Sequence, residues 1–289
     1  MNIEHLTIFN NIYKILYKEK KFYIKKLLYE KRFKLIDKYK VSTIQKGINI
    51  LNLFKVNQKL SFTDIQKKLS YNKSTLFRIL YTLEQNKYLA RDKHGRYELG
   101  LDIYILGNQI SKVNKLEKAS DSSLKKLAET THLTAHLGIL DGLDVVIIGK
   151  YNPSNSSINM VSRIGSSVPA HCTGQGKVLL AFSVQEKVEK IIDSQGLRRY
   201  TPNTIATFNE LLKELEKIRE RGYAIDNAEH EKHIHCIAFP ILNESDELVA
   251  AISITGLEMN FAEEEAMERY IHLLQNTRDN IRKKMNYIT

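Results

Sequence analysis

The stretch KSTLFRILYTLEQNKYLARDKHGRYELG, Lys73 to Gly100, decides how the front of this chain folds. Leu76, Ile79, Leu80 and Leu83 recur at helical spacing and make one apolar stripe. A helix starting at Lys73 buries that stripe and leaves Lys73, Ser74, Thr75, Arg78 and Tyr81 for its outer faces. Beyond Asn86-Lys87, YLARD and RYEL read as two short strands turning at Lys93-His94-Gly95, where glycine is free to take a positive φ. Just upstream, SFTDIQKKLS (Ser61 to Ser70) has the pattern of a supporting helix. Ser61 is an N-cap with acidic Asp64 three residues on, Ile65 and Leu69 repeat at a helical interval, and Tyr71-Asn72 supplies the turn. Supporting helix, turn, second helix and basic hairpin follow in the order of a winged helix-turn-helix. Arginine suits guanine and hydroxyls suit either base edge, while Lys93, His94 and Arg96 at the hairpin tip suit phosphate. The segment is expected to bind double-stranded DNA. The rival is a winged helix that docks a protein partner.

Charge is distributed as that reading requires. The chain has 289 residues and a net charge of +11. Residues 1–40 carry 11 basic and 4 acidic side chains, residues 41–115 carry 13 and 5, and residues 116–289 carry 20 and 24. The three parts are thus +7, +8 and −4, so the basic excess stays with the segment that would meet phosphate. The acidic remainder suits a sensor or partner-binding domain. Two cysteines, Cys172 and Cys236, and the lack of a secretory signal pattern lead to the expectation of a reducing cytoplasm. No apolar run approaches the ~18 residues of a membrane span, so no membrane partner is expected.

Four regions are expected. Residues 1–40 form a basic extension, in which YKEKKFYIKKLLYEKRFK is compatible with an amphipathic helix. It could embrace DNA, lie on an anionic membrane or pair with a second subunit. Its Lys, Ile, Tyr, Asn and Phe content also fits translation of AT-rich DNA upstream of the true start. Residues 41–100 form the winged helix-turn-helix, with a first helix over STIQKGINILNLF presenting Ile44, Ile48, Leu51 and Phe54 to its core. Residues 101–131 form the linker, helical over Leu101, Tyr104, Ile105 and Ile110, serving as a dimer contact or a rigid spacer.

Residues 132–289 alternate strands and helices: a hairpin over Leu133 to Tyr151 turning at Asp141-Gly142, and a strand over Ile158 to Arg163. Helices follow in GKVLLAF, in VQEKVEKIIDSQGL and from Phe208 to Gly222. Strands over Cys236 to Leu242 and Glu247 to Gly256 precede a last helix from about Ala262 to Met285. The fold class is α+β on a largely antiparallel sheet.

Several separated motifs, KSTLFRILYTLEQNKYLARD, GRYELG, GSSVPAHCTGQGK (Gly165 to Lys177), ERGYAIDNAEHEKHIHCIAFPI (Glu220 to Ile241) and LVAAISITG, resemble the IclR family of bacterial transcription regulators. The resemblance runs from Val41 to about Arg282. It implies a winged-helix head, a linker helix, a GAF-like effector-binding domain, and homodimers or dimers of dimers. It also implies a regulator, expected here to be a repressor, of catabolic genes that answers to a small, often carboxylated metabolite. Carried over residue by residue, the effector contacts fall on Gly174 and Gln175, Asp226, Cys236, Ser253 and Thr255. The chemistry agrees: amides of Thr173 to Gly176 at a helix N-terminus can receive a carboxylate. Ser253 and Thr255, two apart on a strand, share a face. Asp226 can accept from a ligand hydroxyl or cap a turn. The chain also departs from the family pattern. Ala228 replaces an acid, His233 replaces a glycine, and Gln175 stands where a small residue is common, which predicts a narrower and more polar pocket.

His230, His233, His235 and Cys236, with His171-Cys172, raise the alternative of a metal-responsive regulator. The string lacks the paired C-x-x-C of strong zinc motifs, and His235 and Cys236 should point to opposite faces of a strand, so no metal is expected. No cofactor is expected either. GxSxG, HExxH and GxGxxG do not occur, and in GQGKV the first glycine of a phosphate loop is replaced by His171. An enzyme is not expected.

Overall fold

Ser61 opens the helix-turn-helix as its sequence demands. Its hydroxyl accepts from the Asp64 amide at 3.1 Å, and the Asp64 carboxylate accepts from the Ser61 amide at 3.0 Å, closing a capping box. The computed structural model describes residues 39–154, 162–184, 188–189 and 196–285. The expected basic extension therefore lies outside the described residues except for its last two, as does most of the strand expected over Ile158 to Arg163. The helix expected over VQEKVEKIIDSQGL is also largely outside them. Contacts divide the chain into one unit ending at Ile103 and another starting at Tyr104. Among the described residues no helix is long and apolar enough to cross a membrane.

The first unit contains helices α1 (Ser42–Leu53), α2 (Phe62–Leu69) and α3 (Lys73–Gln85), then strands β1 (Leu89–Arg91) and β2 (Tyr97–Leu99). Ile65, Leu76, Ile79, Leu80, Leu89 and Tyr97 form its core with Ile50 and Phe54. The first helix corrects an expectation: Ile44 and Ile48 are 62% and 46% exposed. Its inward line instead runs through Ile50 and Phe54, and a Cβ on Gly47 would sit at an ordinary contact distance, 3.8 Å, from Ile79 of α3. α1 carries more apolar residues than one face can hold, and its packing into the core selects Ile50 and Phe54. The two strands pair antiparallel, and the turn between them is closed by Gly95 at φ +73°.

The linker is also interrupted. α4 (Leu101–Gly107) ends one turn before α5 (Ser111–Thr131) begins, and the Asn114 side chain donates to the Asn108 carbonyl across the gap at 2.6 Å. Leu101, Tyr104, Ile105 and Ile110 are all exposed.

Among the described residues the second unit is built on a six-stranded, wholly antiparallel sheet. Its strands are β3 (Thr134–Asp141), β4 (Asp144–Tyr151), β5 (Ser167–Pro169), β6 (Ala224–Asn227), β7 (Ile234–Leu242) and β8 (Leu248–Leu257), in the order β5-β4-β3-β8-β7-β6. Alternation sends Leu137, Ile237, Phe239, Ile252 and Ile254 to one face, where α5 and the last helix α8 (Glu264–Met285) pack. Val145, Ile147, Ala238 and Ala251 go to the other, under α6 (Gly174–Ala181) and α7 (Phe208–Arg221). The hairpin, the helix ending at Gly222 and the two long strands lie where the sequence puts them, within about two residues at each end.

Candidate functional site

In the first unit, Asn72 caps α3 by accepting from the Thr75 amide at 2.8 Å, and the Ser74 hydroxyl leans on the same oxygen at 3.1 Å. Lys73, Ser74, Arg78 and Tyr81 are exposed and Thr75 is half-buried. Neither Lys73 nor Arg78 forms an ion pair with a described residue. Phe77, missed in the sequence reading, is 55% exposed and stacks on Tyr81 with ring centroids 6.4 Å apart. The i, i+4 spacing of two aromatics on a polar face was the signal for it. At the hairpin, Lys93 and His94 are exposed, but Arg96 is engaged. Its Nε and Nη2 donate to Asp92 at 3.0 and 2.9 Å, and Lys59 reaches the same carboxylate at 3.2 Å. Asp92 is partly desolvated, yet the amides of Arg96 and His94 and these cations hold its carboxyl well below the usual range. A phosphate at Arg96 has to share that pair.

In the second unit, Gly174, Gln175, Asp226, Cys236, Ser253 and Thr255 line one cavity of about 90 Å³. The sheet register explains the gathering: Asp226 pairs with Cys236 and Cys236 with Thr255, while Ser253 lies between Ala238 and His136. Thr173 caps α6 by accepting from the Gly176 amide at 3.3 Å, which sets the N-terminus of the helix at the cavity. Gly176 is required for this seat, since a Cβ there would lie 2.1 Å from the Ala170 Cα.

His136 and Ser162 also line the cavity and were missed. The His136 Nε2 is 2.8 Å from the Ser162 hydroxyl and its Nδ1 is 3.5 Å from the Thr255 hydroxyl. Full burial, with Lys150 nearby, pushes the imidazole down to about 3, so it is neutral at ordinary pH. No motif marks it; only the pairing of β3 with β8 brings it in.

Asp226 caps the turn after β6, its Oδ1 accepting from the Glu229 amide at 2.8 Å. Burial raises its carboxyl to about 7 against the pull of that amide, and Glu229 adds repulsion. Beside it, the buried Lys177 ammonium pairs with Glu229 and donates to the Ile225 carbonyl at 2.6 Å. Ala228 and His233 both hold left-handed backbone, φ 53° and 63°, so the histidine that stands in place of a glycine keeps a glycine-like conformation.

Of the remaining histidines, His230 lines the cavity with Cys236, whereas His171, His233 and His235 do not. His230 sits edge-on to Tyr200, His171 Nε2 lies 2.9 Å from the Arg198 carbonyl, and His233 is exposed. His235 stacks on Phe261 on the opposite face of the sheet from Cys236. Burial pushes the Cys236 thiol up to about 12 and the Cys172 thiol higher still, so neither supplies a thiolate at neutral pH. Among the described residues no three His, Cys, Asp or Glu side chains are placed to hold a metal ion.

Comparison with known proteins completes the picture. Residues 43–93 match the IclR helix-turn-helix domain and residues 109–283 match the bacterial transcriptional regulator IclR C-terminal domain. The chain is 33% identical over 248 residues to the HTH-type transcriptional regulator KdgR of Dickeya chrysanthemi, covering 86% of this chain and 81% of that one. It is 31% identical over 241 residues to the transcriptional repressor AllR of Escherichia coli K12, covering 83% and 87%. The crystal structure of the Thermotoga maritima IclR superposes with a TM-score of 0.67 at 32% identity, covering 84% and 98%.

Proposed function

Since the chain belongs to the IclR family of bacterial transcription regulators, we propose that it represses catabolic genes and releases them when a small carboxylate enters the cavity over β8. It is a DNA-binding transcriptional regulator with an effector-binding C-terminal domain, and not an enzyme. In this reading Lys73, Ser74, Thr75, Arg78 and Tyr81 enter the major groove, while Lys93, His94 and Arg96 lie along phosphates. The carboxylate sits at the N-terminus of α6, with Ser253 and Thr255 on its oxygens and Asp226 and Cys236 beside it. Repression is favoured by the kinship with a named repressor. A homodimer, or a dimer of dimers, is favoured by the exposed apolar side chains of α4.

The observation that carries the reading is the cavity itself. A buried neutral imidazole, the hydroxyls of Ser253 and Thr255 and a capped helix N-terminus converge there, beside the carboxyl groups of Asp226 and Glu231 and, among the described residues, with no lysine or arginine in the lining, so a small anion is received by dipoles rather than by an ion pair. The test is fluorescence anisotropy on DNA upstream of the gene, with unlabelled competitor and a salt series. Competitor-resistant binding with a steep salt slope, weakened by a carboxylate metabolite, is expected. Weak binding with a shallow slope that competitor abolishes would overturn it and favour a protein-docking head.

A further inference from the structure

On the cavity face of the sheet the side chains step in rows. Asp226, Cys236 and Thr255 form the first, Ala238, Ser253 and His136 the second, and Pro240, Ala251 and Gly138 the third. Successive rows are about 7 Å apart, two residues along a strand. Over β3, β7 and β8 the cavity touches the first two rows and not the third, while on the β4 side it reaches Ile147, the register partner of Gly138. Gln175 occupies the space over the third. Its Nε2 donates to the Ala251 carbonyl at 3.0 Å, and a Cβ on Gly138 would come within 2.8 Å of its Oε1. The side chain is 4% exposed. Beneath it lie Gly138 and Ala251, with the Val145 side chain beside them, where a Cβ on Gly138 would meet its Cγ1 at 2.6 Å.

We propose that Gln175 gauges the length of the effector: its amide closes the cavity over β3 and β8 after the second row, so that a compact carboxylate is accepted and one bearing an aromatic ring is rejected. The remaining 90 Å³ is smaller than the roughly 150 Å³ void that takes up a benzene ring. Swinging the amide aside gives up the hydrogen bond to Ala251 in a buried site, so the stop is held rather than loose. Truncation at this position opens one further row of the sheet. This inference rests on the cavity being the effector site, and the experiment separates the two.

Acetate, butyrate and benzoate are titrated calorimetrically into the full chain and into Gln175→Ala, Gln175→Met and Ser253→Leu. The unaltered chain should bind acetate or butyrate at least tenfold better than benzoate. Gln175→Ala should gain at least tenfold for benzoate, and Gln175→Met, which refills the space without the amide, should keep the original order. Equal benzoate affinity in the chain and in Gln175→Ala, with Ser253→Leu abolishing binding, overturns the gauge alone. Binding that survives Ser253→Leu unchanged overturns the effector site itself. Failure of every carboxylate to bind both the unaltered chain and Gln175→Ala overturns the carboxylate and the gauge together.

Discussion

Among the described residues Arg78 has no acidic partner for its guanidinium, whereas Arg96 is already engaged with Asp92. That difference between two arginines of the proposed DNA-binding face predicts different phenotypes. Arg78→Ala should lose about 1–3 kcal/mol of discrimination at one base pair, read by anisotropy on operator and singly substituted operator. Retention of full discrimination would misplace the recognition helix. At the cavity, Asp226 titrates near 7 in the folded chain and near the ordinary ~3.9 when unfolded. Between those values the unfolded chain releases a proton that the folded chain keeps, so stability falls as pH rises from about 4 to 7 and levels off above. Asp226→Asn should flatten that fall, worth up to about 4 kcal/mol by pH 8; an unchanged melting-temperature profile would show that another group carries the proton. The six candidate effector residues were legible because they stand in contiguous motifs. His136 and Ser162 were not, because a register between strands 117 positions apart, His136 with Ser253, leaves no local pattern.

Elements were legible where local chemistry decides them and illegible where packing does. The Ser61–Asp64 box, the Gly95 turn and the alternation of β7 and β8 all follow from near neighbours in sequence. The buried face of α1 does not: Ile44, Ile48, Ile50, Leu51 and Phe54 offer two plausible stripes, and the choice is made by packing against Ile65, Ile79 and Leu80. The break at Asn108 in the linker was equally invisible, since apolar spacing continues across it to Ile110. Because the capping box is local, its loss should be too. Ser61→Ala should cost about 1 kcal/mol in the helix-turn-helix unit, measured by denaturant unfolding, and leave the melting of the effector unit in place. A shift of both transitions together would mean the two units unfold as one.

At the scale of the molecule, the charge partition was plain from the sequence: basic residues are concentrated before Leu116, acidic ones after it. A Ser253→Leu variant, altered in the buried second row of the sheet, should keep its DNA affinity and lose its response to effector in the same anisotropy assay. Unchanged response would move the ligand elsewhere. Lys177 offers a different handle. The residue is 1% exposed and its ammonium is tied to Glu229 and the Ile225 carbonyl, at the point where α6 meets β6. An acylating reagent therefore cannot reach it while the unit is closed, though it labels surface lysines at once. The rate at which Lys177 acquires label, followed by peptide mass spectrometry, becomes a clock for spontaneous opening of the effector unit. A ligand seated against α6 should slow that clock.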